Sequence, residues 1–203
     1  MLKESKASRG LQGKIGSALA VIPLSPNQWT ILALLVALAA AGVIAFTQNL
    51  LLGLALFILA GLLDAVDGAV ARARNETTKF GAFLDGISDR FMEFFFLFAF
   101  LFYPLPAIFI DPKIWIAALT FFGTCMPAFI RAYAAYNCVI SPEKAKAMGG
   151  LFERSERVLL IAVGLGAGIL LSMDYFVYAI ILATFLSILT VFQRLLYVYS
   201  ARE

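Results

Sequence analysis

In the stretch from Leu63 to Arg90, LDAVDGAVARARNETTKFGAFLDGISDR, Asp64 and Asp67 stand three residues apart and Asp85 and Asp89 four apart. Residues at those separations share one helix face. Carboxylates are hard oxygen ligands. With no histidine in the chain and no cysteine in this stretch, they point to magnesium, manganese or calcium rather than zinc or copper. Four carboxylates supply ligands enough for two ions, an arrangement suited to phosphoryl chemistry, where metals hold the attacking and leaving oxygens. Gly68 and Gly81 cost helix stability relative to alanine and leave room beside the carboxylates for a flat or bulky group. Arg72, one turn beyond Gly68, offers a phosphate its planar fork of donors. Any one of these residues is explained as a cap, an interfacial anchor or a helix-packing position. Two aspartate pairs, two glycines and an arginine in one hairpin are not.

The elements that position them are apolar. Of 203 residues, 62% are apolar or aromatic and 14% are charged, against about 25% charged in an ordinary soluble domain. A soluble globule of this size cannot hide so much apolar surface, so lipid is the expected solvent and the length fits one bundle. About twenty apolar residues cross a bilayer as a helix. Runs of that kind cover residues 29–46, 50–70, 83–103, 114–136, 158–171 and 175–199. The expected fold is therefore an all-α integral membrane protein with six transmembrane helices. A polar lead carries Lys3, Lys6, Arg9 and Lys14, and its Leu11, Ile15, Ala18, Leu19 and Ile22 recur at helical spacing. It is read as an amphipathic juxtamembrane helix, giving a segment 1–28 and a six-span domain 29–203. Ser25-Pro26-Asn27 is a helix start signal. Ala37-Leu38-Ala39 mimics a signal-peptide cleavage site, but the long polar lead and the continuing apolar run argue against cleavage.

Aspartates at membrane depth cost about 2.5–3.5 kcal/mol each on insertion scales, so the cluster requires cations or protonation. Basic residues favour cytoplasmic loops. The amino-terminal cluster, Arg72, Arg74, Lys79, Lys144, Lys146, Arg154, Arg157 and Arg202 fall on one side of a six-span layout, opposite Lys113, Asp111 and Asp174. Both termini and the aspartates are thus expected at the cytoplasmic face of the cell membrane. The net charge of +3 makes no nucleic-acid footprint. Cys125 and Cys138 are read as small packing residues. Gly164, Gly166 and Gly168 are read as close-packing positions, and the phenylalanines between Phe91 and Phe102 as facing lipid or a lipid-tail groove. Glu93 is either a neighbour of the site or a buried partner.

Asp64, Asp67, Gly68, Ala71, Arg72, Gly81, Asp85 and Asp89 occupy all eight fixed positions of D-x-x-D-G-x-x-A-R-x8-G-x-x-x-D-x-x-x-D. The chain thereby resembles the CDP-alcohol phosphatidyltransferases, and the six-span layout with a polar lead extends the likeness over nearly its whole length. The resemblance implies that the four aspartates bind two divalent cations, Mg2+ or Mn2+. It implies that Asp67, Gly68, Ala71, Arg72 and Gly81 hold the CDP moiety and that Asp89 is the general base on the acceptor hydroxyl. It further implies a homodimer.

The acceptor is addressed by a second set of residues. Arg154 and Arg157 lie three apart at the start of the fifth span, and Arg131 and Arg194 lie inside the fourth and sixth. Arginines that deep usually have an anionic partner. Several around one cavity suit a phosphorylated acceptor, inositol 1-phosphate or glycerol 3-phosphate; the alternative is that Arg154 and Arg157 are topogenic charges paired with Glu153 and Glu156. The E-R-x-E-R run resembles phosphatidylinositol phosphate and archaetidylinositol phosphate synthases. The implied donor is CDP-archaeol or CDP-diacylglycerol and the implied acceptor inositol 1-phosphate. A di-inositol phosphate synthase using CDP-inositol, or a glycerol phosphate or serine transferase, is the enzymatic alternative. A cation transporter is the non-enzymatic one, disfavoured because no acidic residue lies in the outer halves of the spans.

Overall fold

The computed structural model describes residues 22–202, so the amphipathic reading of the amino-terminal lead lies outside the described residues. Those residues are helical, with no β-strand among them. They fall into two compact units that divide between Phe102 and Tyr103.

The first unit holds α1 (Pro26–Thr47), α2 (Leu50–Ala73) and α3 (Lys79–Ala99). Ser25 begins α1: its hydroxyl accepts from the Gln28 backbone, Gln28 bonds back, and Pro26 takes the first helical position. A proline there gives up only a donor that the helix start leaves idle. A π-helical turn, Val43–Thr47, ends α1, and Asn49 caps α2. Thr78 caps α3 by accepting from the Gly81 N–H. That cap explains why α3 begins four residues before its apolar run. α1 packs against both α2 and α3, which touch each other far less.

The second unit holds α4 (Pro112–Tyr136), α5 (Pro142–Ala147), α6 (Arg154–Leu170) and α7 (Met173–Ala201). α4 is interrupted by a π-helical turn, Thr120–Cys125. Against α7 pack α4 and α6. A Cβ on Gly164 of α6 would sit 2.3 Å from the Ala179 Cβ of α7, whereas one on Gly166 meets nothing within 4 Å. Gly164 therefore permits close approach inside the unit, and Gly166 faces away from it.

Helices stand at all six expected places, but four of them, α1, α2, α4 and α7, are long and apolar enough to cross a membrane. α6 has 17 residues, and α3 carries Lys79, Asp85, Asp89, Arg90 and Glu93. The phenylalanines of α3 and of the 3-10 turn that follows it, Phe100–Phe102, divide: Phe96 and Phe100 are buried, with Phe96 stacked on Phe57 of α2 at 3.9 Å, while Phe91, Phe98 and Phe102 are exposed. The packing role read for the cysteines is not met, since both are exposed free thiols.

Candidate metal and nucleotide site

The last turns of α2 carry Asp64 and Asp67, and the first turns of α3 carry Asp85 and Asp89. One carboxylate oxygen from each of Asp64, Asp67 and Asp85 lies within 4.8 Å of the other two. Opposed ligands of an ion at about 2.1 Å, the magnesium distance, stand about 4.2 Å apart, and those of calcium about 4.8 Å. An all-oxygen set of this span fits one hard cation of that class. Asp89 is not among these three. It lies one turn further along α3, where its carboxylate stands 3.7 Å from the Arg90 guanidinium and its Oδ1 is buried.

Asp67 is the most enclosed of the four, 5% exposed. Its Oδ1 accepts from the Gly68 N–H and its Oδ2 from the Thr30 hydroxyl of α1. The residues expected to hold a nucleotide lie on the same two helices. The Arg72 guanidinium folds back over Gly68, with Nη1 3.2 Å from where a Cβ on Gly68 would lie. On Gly81 the corresponding position is 3.1 Å from Thr78 Oγ1 and 3.4 Å from Asn27 Oδ1. Ala71 lies partly exposed one residue before Arg72. Glu93 is buried further along α3.

The motif does not include Thr30, Asn27 or Arg74. Arg74 donates to the carbonyls of Leu24, at 2.8 Å, and Ile22, tying the lead into α1 to the end of α2. The available signal was Pro26-Asn27 followed by a threonine at the start of an apolar helix. Spacing alone gave no reason to connect that threonine to an aspartate 37 residues away.

All four candidate acceptor arginines belong to the second unit. The loop before α6 is fastened to α7: Phe152 N–H donates to Thr190 Oγ1 at 3.0 Å and Leu151 N–H to Gln193 Oε1 at 2.8 Å. Arg194, 5% exposed, donates to the Pro127 carbonyl and stands 3.9 Å from Glu153. Arg131 Nη2 donates to the Met148 carbonyl at 2.6 Å; its partner is backbone rather than an anion. Arg154 begins α6, half-buried. Arg157, 4% exposed, passes Gly123 in the π-helical turn of α4. A Cβ there would lie 3.0 Å from Arg157 Cδ and 3.1 Å from Ser187 Oγ.

The CDP-alcohol phosphatidyltransferase family model matches residues 23–192. An archaetidylinositol phosphate synthase of Pyrococcus horikoshii is 32% identical over 191 residues, covering 94% of this chain and 90% of that protein. A phosphatidylinositol phosphate synthase of Corynebacterium glutamicum is 32% identical over 86% of this chain and 77% of its own length. A bifunctional IPC transferase and DIPP synthase of Aquifex aeolicus is 32% identical over 77% of this chain, which spans only 36% of that longer protein. Among solved structures, Mycobacterium tuberculosis phosphatidylinositol phosphate synthase in complex with manganese and citrate superposes with a TM-score of 0.75 at 25% identity. That match covers 94% of this chain and 90% of the other. The same enzyme with CDP-DAG bound gives 0.75 over 95% of each chain.

Proposed function

The chain belongs to the CDP-alcohol phosphatidyltransferase family, and we propose that it moves a phosphatidyl-type group from a CDP-lipid to the hydroxyl of inositol 1-phosphate, releasing CMP. The observation that carries this is the convergence of Asp64, Asp67 and Asp85, within a complete family motif, on one point sized for a hard cation. The acceptor is supported by relatives named for inositol phosphate lipids over most of this chain's length and by buried arginines in the second unit. Donor tails are those of CDP-archaeol or CDP-diacylglycerol.

Asp64, Asp67, Asp85 and Asp89 would hold two divalent cations, Mg2+ or Mn2+, which when bound neutralise the diphosphate and polarise the bond to the departing CMP. The residues themselves divide the remaining work. Arg72, with the bare backbone at Gly68 and Gly81 and the small Ala71, receives the nucleotide and its phosphates. Asp89 takes the proton of the acceptor hydroxyl. The hydroxyl oxygen then forms its bond to the phosphorus on the lipid side as the bond to CMP breaks. Arg131, Arg154, Arg157 and Arg194 hold the acceptor's phosphate and so orient its hydroxyl. In this reading the chain makes six passes as one domain, residues 29–203 behind a juxtamembrane segment. It sits in the cell membrane as a homodimer with the aspartates at the cytoplasmic face.

CMP release in detergent with magnesium, over a matrix of donors and acceptors, tests the assignment. Release is expected with inositol 1-phosphate and a lipid donor, and the better donor names the tails. Release only with CDP-inositol would move the chain to the di-inositol phosphate alternative. Release with serine or glycerol phosphate alone would sink the acceptor assignment.

The crowding at Gly123 adds a finer expectation. Gly123→Ala pushes the Arg157 side chain aside by a few tenths of an ångström, and misplacement of a positioning group by about 1 Å costs up to about 100-fold. The KM for inositol 1-phosphate should rise about tenfold on that scale, with the KM for CDP-lipid unchanged. Steady-state kinetics with each substrate varied in turn would check it. An unchanged KM for the acceptor would remove Arg157 from the phosphate site or show that its path does not matter.

A further inference from the structure

Thr30 lies outside the family motif, on a different helix from the four aspartates, yet its hydroxyl is bonded to one of them. Thr30 is 3% exposed and Asp67 is 5% exposed, so this is a buried contact between α1 and α2. We propose that Thr30 is a positioning residue for the cation site: its hydroxyl fixes the rotation of the Asp67 carboxylate and so aims it at the metal. The inference rests on Asp67 being a ligand, as in the reading above.

A carboxylate presents about four lone-pair directions on two oxygens. On Asp67, the Gly68 N–H takes one on Oδ1 and the Thr30 hydroxyl takes one on Oδ2. Each oxygen keeps a lone pair, and the plane of the group is held from both sides. A ligand left to rotate loses that preorganisation, and outer partners of metal ligands typically contribute about 10–100-fold in metal affinity.

Thr30 is itself held. It lies in the second turn of α1, whose start is closed by the Ser25–Gln28 capping box and whose approach is tied to α2 through Arg74. The alternative acceptor for its hydroxyl is the Pro26 carbonyl one turn back, at 3.2 Å. A hydroxyl has one proton, and a charged carboxylate is the stronger acceptor. The proton therefore goes to Asp67 whenever that group is ionised, and Pro26 holds the hydroxyl in the same neighbourhood otherwise. A valine at this position keeps the shape and removes the donor; a serine keeps the donor and removes the methyl.

The test is Mn2+ binding to detergent-purified protein, read from the loss of the free-ion electron paramagnetic resonance signal. It would compare the parent with Thr30→Val, Thr30→Ala, Thr30→Ser and Asp67→Asn. Thr30→Val and Thr30→Ala are expected to weaken binding about tenfold, and Thr30→Ser to bind as the parent does. Parent-like Mn2+ affinity in Thr30→Val or Thr30→Ala would overturn the proposal, as would equal weakening in Thr30→Ser, which would assign the effect to packing. If Asp67→Asn itself binds Mn2+ normally, the ligand assignment beneath the proposal fails instead. The alanine variant keeps the test decisive should the valine variant not fold.

Discussion

Asp89→Asn is expected to release CMP about 1,000-fold more slowly than the parent, within the 10²–10⁴ range ordinarily supplied by a positioned general base. The substitution preserves size and one carbonyl oxygen, so the side chain can still touch a cation but can no longer accept a proton. The family motif, whose last aspartate is proposed above as the general base, is the reason for singling out this residue. Three aspartates converge through oxygens within 4.8 Å, whereas Asp89 sits one turn further along α3, beside Arg90. Two measurements separate base from ligand. If Asp89 acts mainly on the acceptor's proton, kcat stays low at any metal concentration while Mn2+ affinity changes little. If it serves mainly to hold metal, activity returns as Mn2+ is raised. A variant with parent-like kcat at ordinary metal levels would remove Asp89 from the reaction.

Chelation of divalent cations is expected to abolish turnover completely, with recovery on adding back magnesium or manganese. It should also lower the melting temperature, because the carboxylates repel one another when no cation stands between them. Two unit charges about 5 Å apart repel by about 3 kcal/mol at an effective dielectric of 20 and by under about 1 kcal/mol in bulk water. The exposure of Asp85 moves its share toward the lower figure, whereas buried Asp67 stays nearer the higher one. A cation present at a hundredfold excess over its Kd stabilises the folded state by about 2.7 kcal/mol, a shift of several degrees. Thermal unfolding in detergent, with chelator and then with each of Mg2+, Mn2+ and Ca2+, measures this directly. The combined Asp64→Asn and Asp67→Asn variant should melt at the same temperature with and without cation. CMP release persisting in chelator would contradict the whole account of the site.

Much of this was legible in residue order, because the relevant physics is local. Capping chemistry at Ser25 and the runs of apolar residues located the helices to within a few residues. Separations of three and four put each aspartate pair on one helix face. The absence of histidine left hard oxygen chemistry. The motif's fixed spacing identified the family. Each of these depends on residues within one or two turns of one another, or on composition.

What tertiary structure alone decided concerns partners brought together from far along the chain. Spacing did not distinguish the three aspartates that share a point from Asp89, because that depends on how α2 and α3 are held, chiefly by packing on α1. Thr30 reaches Asp67 across 37 positions. Arg131 and Arg194 both invited an anionic partner. Arg194 stands 3.9 Å from Glu153 and also bonds the Pro127 carbonyl, whereas Arg131 bonds the Met148 carbonyl. Of the glycines read alike in α6, Gly164 meets α7 and Gly166 meets nothing. A helix period states which residues share a face, but only the packed neighbour determines what that face meets.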